Sequence, residues 1–261
     1  MILGILGVGH LATSMLTGLL RSGLDPAAIL LSPRGKAADL AARHGFGLAA
    51  DNGDLVRRAG IVLLAVRPAD APDAVAALPW RDGQVVVSVC AGVPLSRLAV
   101  APARAVRAMP LTASEIGASP TVCFPHIEEA RALLDRLGPA IALASEADFE
   151  VATVSAAVYG WAQDLIRGAA EWSAGAGLDP ETARRLTALT FVAAGRQIAE
   201  NGAPMDRLLQ ELVTPGGITE RGLQVLAARG VPGAWEEACA AVLDMLTRQA
   251  PDGAVATTTG R

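Results

Sequence analysis

The 261-residue chain has few of the features that would place it on a nucleic acid, in a membrane or in a disulfide-stapled fold. Its three cysteines, Cys90, Cys123 and Cys239, are odd in number, far apart and without C-x-x-C spacing. A disulfide framework or zinc site is not expected from them, and a reducing cytoplasm is. Lysine is almost absent, Lys36 being the only one, and 22 Lys plus Arg against 26 Asp plus Glu leave a formal net charge of −4. Binding to a polynucleotide by counterion release needs clustered cations. The nearest approach, Arg57-Arg58, reads as a solvated helix face. The longest apolar stretches, such as Ile61–Val66 and Val85–Val89, fall far short of the ~20 residues of a spanning helix. Met1–Leu6 meets glycine at once and carries no basic leader, so it does not read as a signal peptide. H-E-x-x-H, a Ser-His-Asp order and paired-carboxylate spacing are all missing, so hydrolase and metalloenzyme readings find no support and no metal is expected.

What remains is apolar: 52% of residues are hydrophobic, only 3% are aromatic, and the mean hydropathy is +0.38. Such a chain folds rather than staying disordered. Residues 1–147 alternate short β-branched runs with helical segments. Strands are expected at Ile2–Leu6, Ile29–Ser32, Gly47–Ala49, Ile61–Val66, Val85–Val89, Ala105–Met109, Thr121–Phe124 and Ile141–Ala144. Helices are expected at Leu11–Arg21, at 36–44 and at Ile127–Leu137, with Gly23, Gly45 and Pro139 as stop signals. The alternation predicts an α/β, Rossmann-type, doubly wound sheet. From about Asp148 the β pattern ends and long helices follow, predicting an all-α domain over 148–250. Its first helix, Asp148–Gly175, has no broad polar face and should be buried, against another subunit if not within the chain. Residues 251–261 read as a disordered tail.

Gly7-Val8-Gly9-His10-Leu11-Ala12 follows the first strand and opens the first helix. Gly7 permits the tight turn, Gly9 leaves the backbone open to a pyrophosphate, and Ala12 takes the helix-packing position of G-x-G-x-x-G/A. A helix N-terminus behind such a turn favours an anion. At the end of the second strand an NAD site normally carries an acid for the ribose hydroxyl. This chain reads Ser32-Pro33-Arg34-Gly35-Lys36, with no acid before Asp39. A hydroxyl and two cations suit a 2′-phosphate, favouring NADPH, with NADH the alternative.

Four further segments, taken with these, resemble the pyrroline-5-carboxylate reductase family. Ala65-Val66-Arg67-Pro68 is similar to that family's A-V-K-P turn, and 87–93 to its I-S-I-x-A-G-V segment. Arg107-Ala108-Met109-Pro110-Leu111-Thr112-Ala113 resembles R-x-M-P-N-T-P. Thr214-Pro215-Gly216-Gly217-Ile218-Thr219 resembles S-P-G-G-[TA]-T. The resemblance implies an NAD(P)H-binding domain followed by a helical domain that forms an intertwined homodimer, often assembled into a ring of dimers. It implies reduction of a cyclic imine carboxylate, with 1-pyrroline-5-carboxylate to L-proline as the reference reaction. From the glycine turn and the basic bend themselves, Gly7, Gly9, His10 and Leu11 are expected to frame the pyrophosphate, and Ser32 and Arg34 to hold the adenosine phosphate. By the resemblance, Ala65, Val66, Arg67, Pro68, Met109 and Pro110 border the nicotinamide half. Thr214, Gly216, Gly217 and Thr219 hold the substrate carboxylate on free N–H groups, with Thr219 as the catalytic hydroxyl.

The departures from the family pattern gather on the substrate side. Leu111 replaces an asparagine, Ala113 a proline and Ala203 a glutamate, while 156–160 replaces G-S-G-P-A with bulkier residues including Tyr159. They leave open a diverged enzyme acting on another imine or a keto acid, or a protein that binds NADPH without turnover. The β-hydroxyacid dehydrogenases share the two-domain plan but use a lysine in the helical domain, and this chain has none there.

Overall fold

The computed structural model describes residues 1–248. The described chain divides into two compact units, one of Met1–Ala156 together with Leu243–Arg248, the other of Ala157–Val242. The expected tail at 251–261, and the last two residues of the expected helical domain, lie outside the described residues.

The first unit is built on an eight-stranded sheet. In chain order its elements are β1 (Leu3–Leu6), α1 (His10–Arg21), β2 (Ile29–Leu31), α2 (Ala37–His44), β3 (Gly47–Leu48), α3 (Asn52–Arg58) and β4 (Ile61–Leu64). There follow α4 (Ala71–Val75), β5 (Val85–Ser88), β6 (Arg104–Met109), β7 (Thr121–Phe124), α5 (Glu128–Leu134), β8 (Ala140–Ala142) and the opening turns of α6 (Glu146–Gly175). The strand order is β3-β2-β1-β4-β5-β6-β7-β8. Pairing is parallel from β3 to β6, with β1 beside β4 in the register Leu6↔Leu64. Because β2 and β4 lie on opposite sides of β1, successive crossovers diverge there and open a crevice at the carboxyl ends of the strands.

The apolar runs are continuous because both faces of the sheet are covered. Ile5, Leu31, Leu63 and Val87 point into one core with Met15, Leu16 and Leu19 of α1. Leu6, Leu30, Val62 and Val86 point into the other with Leu55 and Val56 of α3. Helix ends follow local chemistry. Asp51 Oδ1 accepts from the Asp54 N–H at 2.6 Å to cap α3, and Gly45 closes α2 in the left-handed region.

Two details depart from the expected pattern. The strands β6 and β7 are antiparallel, since the link over 110–120 holds only a 3-10 helix, Thr112–Ile116, and makes no crossover. That turn packs directly on α1, where a Cβ on Gly18 would run into the Ser114 carbonyl. Helix α5 stops at Leu134, short of Pro139. The first compact unit extends through the opening turns of α6 to Ala156, where Phe149, Thr153 and Val154 are buried.

The second unit contains the rest of α6, then α7 (Pro180–Glu200), α8 (Met205–Leu212), α9 (Ile218–Ala228) and most of α10 (Val231–Arg248). Asp179 caps α7 by accepting from Thr182 N–H at 2.9 Å, with Pro180 at the first helical position. Among the described residues, little of this unit's apolar surface is covered. Leu165, Trp172 (76% exposed), Leu186, Val192 and Leu212 all face outward. The expected burial of α6 is therefore met only in its first turns, and the remainder presents apolar side chains to whatever lies outside the chain.

Candidate active site

The turn after β1 has the geometry a dinucleotide requires. Gly7 sits at φ +92°, and a Cβ there would come within 2.7 Å of the Ala65 carbonyl oxygen and 2.8 Å of Val66. The glycine thus lets the first turn lie against the β4 turn. Gly9 is the N-cap of α1, no side chain caps that helix, and a Cβ at Gly9 would meet nothing within 4 Å. The first-turn N–H groups have no acceptor within the helix, and open space lies over the residue that precedes them. A pyrophosphate fits this arrangement of dipole, donors and missing side chain. His10 and Leu11 form the first positions of α1, and His10 is exposed.

A cleft of about 460 Å³ opens beside this turn, lined by Gly7, Ser32, Arg34 and Val66 of the expected set. Ser32 is buried and extends β2 by donating its N–H to the Ile5 carbonyl at 3.0 Å. Gly35, at φ +66°, makes the bend that follows Arg34. The same cleft is lined by Asn52, Asp70 and Asp73, which were not among the expected residues. Asp51 is the N-cap of α3, and Asn52, the first residue of that helix, lines the cleft.

Arg67 and Pro68 line a second cleft, of about 640 Å³, with Gly92, Val93 and Arg97 from the segment after β5. The Arg67 Nε donates to Asp70 at 2.8 Å, which holds the β4 turn against the start of α4. Cys90 ties the two turns together, its Sγ donating to the carbonyls of Val66 at 3.4 Å and Leu64 at 3.6 Å. Burial pushes the Cys90 thiol pKa up, so it stays protonated and serves as a donor. Met109 and Pro110 are buried at the end of β6 and line neither cleft. Leu111 is buried too, with its N–H held by Ser119 Oγ at 2.8 Å and its carbonyl accepting from Ser114 Oγ at 2.7 Å. A core leucine occupies the place where the family pattern has an amide.

In the second unit, Thr214–Thr219 forms the turn from α8 into α9. Gly216 is at φ +74°, and Gly217 is the N-cap of α9. Two N–H groups expected to be free are engaged: Gly217 N donates to Thr214 O at 2.8 Å, and Gly216 N donates to Glu220 Oε2 at 2.7 Å. The donors left for a ligand are the first-turn N–H groups of Ile218 and Thr219, together with the exposed Thr219 hydroxyl. Thr214 is exposed on the same turn. Of the three histidines, none lines either cleft.

Comparison with known proteins bears on both units. Residues 2–92 match the family model described as NADP oxidoreductase coenzyme F420-dependent. Residues 146–248 match the model for pyrroline-5-carboxylate reductase dimerisation. Pyrroline-5-carboxylate reductase 2 of Bacillus subtilis is 28% identical over 249 residues, covering 86% of each chain. The pyrroline-5-carboxylate reductase of Pseudomonas aeruginosa is 28% identical over 251 residues, covering 90% of this chain and 92% of the relative. The fold matches the crystal structure of the Plasmodium falciparum pyrroline carboxylate reductase with NADP bound, with a TM-score of 0.85 at 18% identity over 95% of this chain and 98% of that one. A glycine turn at the first βα junction and a helical domain of this type define a nicotinamide-nucleotide oxidoreductase. More narrowly, the chain is similar over most of its length to pyrroline-5-carboxylate reductases, and its helical region matches that family's dimerisation model.

Proposed function

We propose that this protein is an NADPH-dependent reductase of a small cyclic imine carboxylate, with 1-pyrroline-5-carboxylate to L-proline as the reaction. The reading is carried by the presence in one chain of two features: the Gly7–Gly9 turn with its cleft in the first unit, and a Gly216-Gly217-Ile218-Thr219 turn within a region that matches a reductase dimerisation domain. The Ser32 hydroxyl and the Arg34 guanidinium suit a 2′-phosphate, the α1 N-terminus a pyrophosphate, and the β4 and β5 turns the nicotinamide half.

When bound, a reduced nicotinamide would supply a hydride to the carbon of the protonated imine, giving a neutral secondary amine that takes a further proton from water. Once the imine is protonated it is already electrophilic, so the protein's work is to position the ring and exclude water. In this reading the N–H groups of Ile218 and Thr219 bind the substrate carboxylate, and the Thr219 hydroxyl donates to that carboxylate or stands by the ring nitrogen. Arg67 and Cys90 hold the β4 turn in the conformation the cofactor needs, through Asp70 and the Val66 carbonyl.

The protein acts as a homodimer in this account, and the outward-facing Trp172, Leu186 and Leu212 supply the apolar surface for it. The dimerisation-family match supports that state, and a ring of dimers is its extension. A cytoplasmic setting accords with the three unpaired cysteines, and no helix among the described residues is long and apolar enough to cross a membrane.

A second reading, reduction of a different imine or of a keto acid, is favoured by one observation. Leu111 turns into the core and brings no amide to the cofactor side of β6. NADPH oxidation across a panel of five- and six-membered cyclic imines, linear imines and keto acids separates the two. The first reading expects the highest kcat/KM with pyrroline-5-carboxylate, and no turnover on any cyclic imine would overturn it.

A further inference from the structure

The cleft that receives the adenosine end in the proposed function carries charges of both signs. Ser32 and Arg34 approach from the end of β2 and Asn52 from α3, while Asp70 and Asp73 approach from the segment around α4. Lys36, the second cation of the bend, does not line the cleft. Asp70 is neutralised by Arg67 at 2.8 Å. Asp73 is exposed and makes no hydrogen bond or ion pair among the described residues, so its carboxylate faces the cleft with its charge uncompensated. The local balance is one free guanidinium, Arg34, against one free carboxylate.

That balance bears on which nucleotide is bound. A 2′-phosphate brings nearly two negative charges into the cleft, attracted by Arg34 and repelled by Asp73. A ribose bearing a free 2′-hydroxyl brings no charge and has a donor for a carboxylate to accept, the role usually given to an acid at the end of the second strand. We propose that Asp73 is a specificity-determining residue for the cofactor: it supplies from α4 the acid that β2 lacks and holds the preference for NADPH over NADH to a shallow one. The proposal rests on the reading that a nicotinamide nucleotide occupies this cleft.

The test is equilibrium titration of NADPH and NADH, by calorimetry, onto the full-length protein and its Asp73→Asn, Asp73→Ser and Arg34→Met variants. Asp73→Asn and Asp73→Ser are expected to raise the ratio of NADPH to NADH affinity by about tenfold, and the gain is expected to shrink in high salt. Arg34→Met is expected to move the ratio the other way. Both nucleotides bound with a ratio unchanged within about twofold in both Asp73 variants, with unaltered circular dichroism, overturns the role of Asp73 and leaves the proposed function standing. Failure of the wild-type protein to bind either nucleotide overturns both.

Discussion

Arg107 Nη1 meets Glu150 Oε1 at 2.6 Å, joining the last parallel strand, β6, to the first turns of α6. The guanidinium is 1% exposed, lies 4.4 Å over the Phe149 ring, and takes a second carboxylate, Glu146, at 3.0 Å. Glu146 also accepts the Leu95 N–H at 2.9 Å, so three segments of the first unit converge on one buried cation. This junction is why the opening of α6 belongs to the sheet domain.

The junction makes an uneven prediction. Arg107→Ala leaves two carboxylates without their cation and is expected to cost about 3–5 kcal/mol of stability. The double change Arg107→Met with Glu150→Leu also removes the more buried of the two carboxylates, leaving only the part-exposed Glu146 unmatched, and is expected to recover much of that loss. Urea denaturation of the wild type and the two variants checks it. Equal losses in both would mean that the ion pair does not set the strength of this joint.

The turn into α9 predicts a separation of binding from turnover. Thr219→Val removes the free hydroxyl and is expected to lower kcat/KM for the imine by about ten- to a hundredfold, with NADPH affinity unchanged. Glu220 holds the Gly216 N–H at 2.7 Å, beside the donors assigned to the substrate carboxylate. Glu220→Gln removes a like charge and is expected to lower the KM of a carboxylated imine while leaving that of an uncharged one alone. Steady-state kinetics on the two classes of substrate reads both effects.

Thiol chemistry follows burial. Burial raises the pKa of both Cys90 and Cys123, while Cys239 is partly exposed. A raised pKa delays thiolate formation to higher pH, so at pH 8 a thiol-specific reagent is expected to modify Cys239 first. Cys90 and Cys123 should react in native protein only as pH rises further or the fold opens. Mass spectrometry of the labelled peptides over time shows the order, and early labelling of Cys90 would contradict its place between the β4 and β5 turns.

Much of the sheet domain was legible in the sequence because its strands are short, β-branched and covered on both faces, leaving runs such as Val85–Ser88 with no polar interruption. The glycine turn was legible because Gly7 must have positive φ, a demand that few residue types meet. The reversal at β7 was not, since antiparallel and parallel buried strands have the same local pattern and only the missing crossover tells them apart. Asn52, Asp70 and Asp73 were also out of reach. They come to the cleft from α3 and the α4 segment through the strand order at the switch point, whereas the local signal for a ribose-binding acid lies at the end of β2. Arg107 stood in the sequence as one letter of a motif, with no sign that its partners lay 39 and 43 positions away.

The central claim is that the turn at Gly7 and the cleft beside it hold a reduced nicotinamide nucleotide. Calorimetric titration of NADPH onto the wild-type protein and onto Gly7→Ala tests it most directly. A Cβ at position 7 would press on the Ala65 carbonyl at 2.7 Å from a backbone of positive φ. The account predicts saturable binding at one nucleotide per chain in the wild type, and a loss of at least about tenfold in affinity in the variant, with the helical signal retained. Wild-type protein that gives no binding heat with NADPH or NADH, or a Gly7→Ala variant that binds as tightly as wild type, would contradict it.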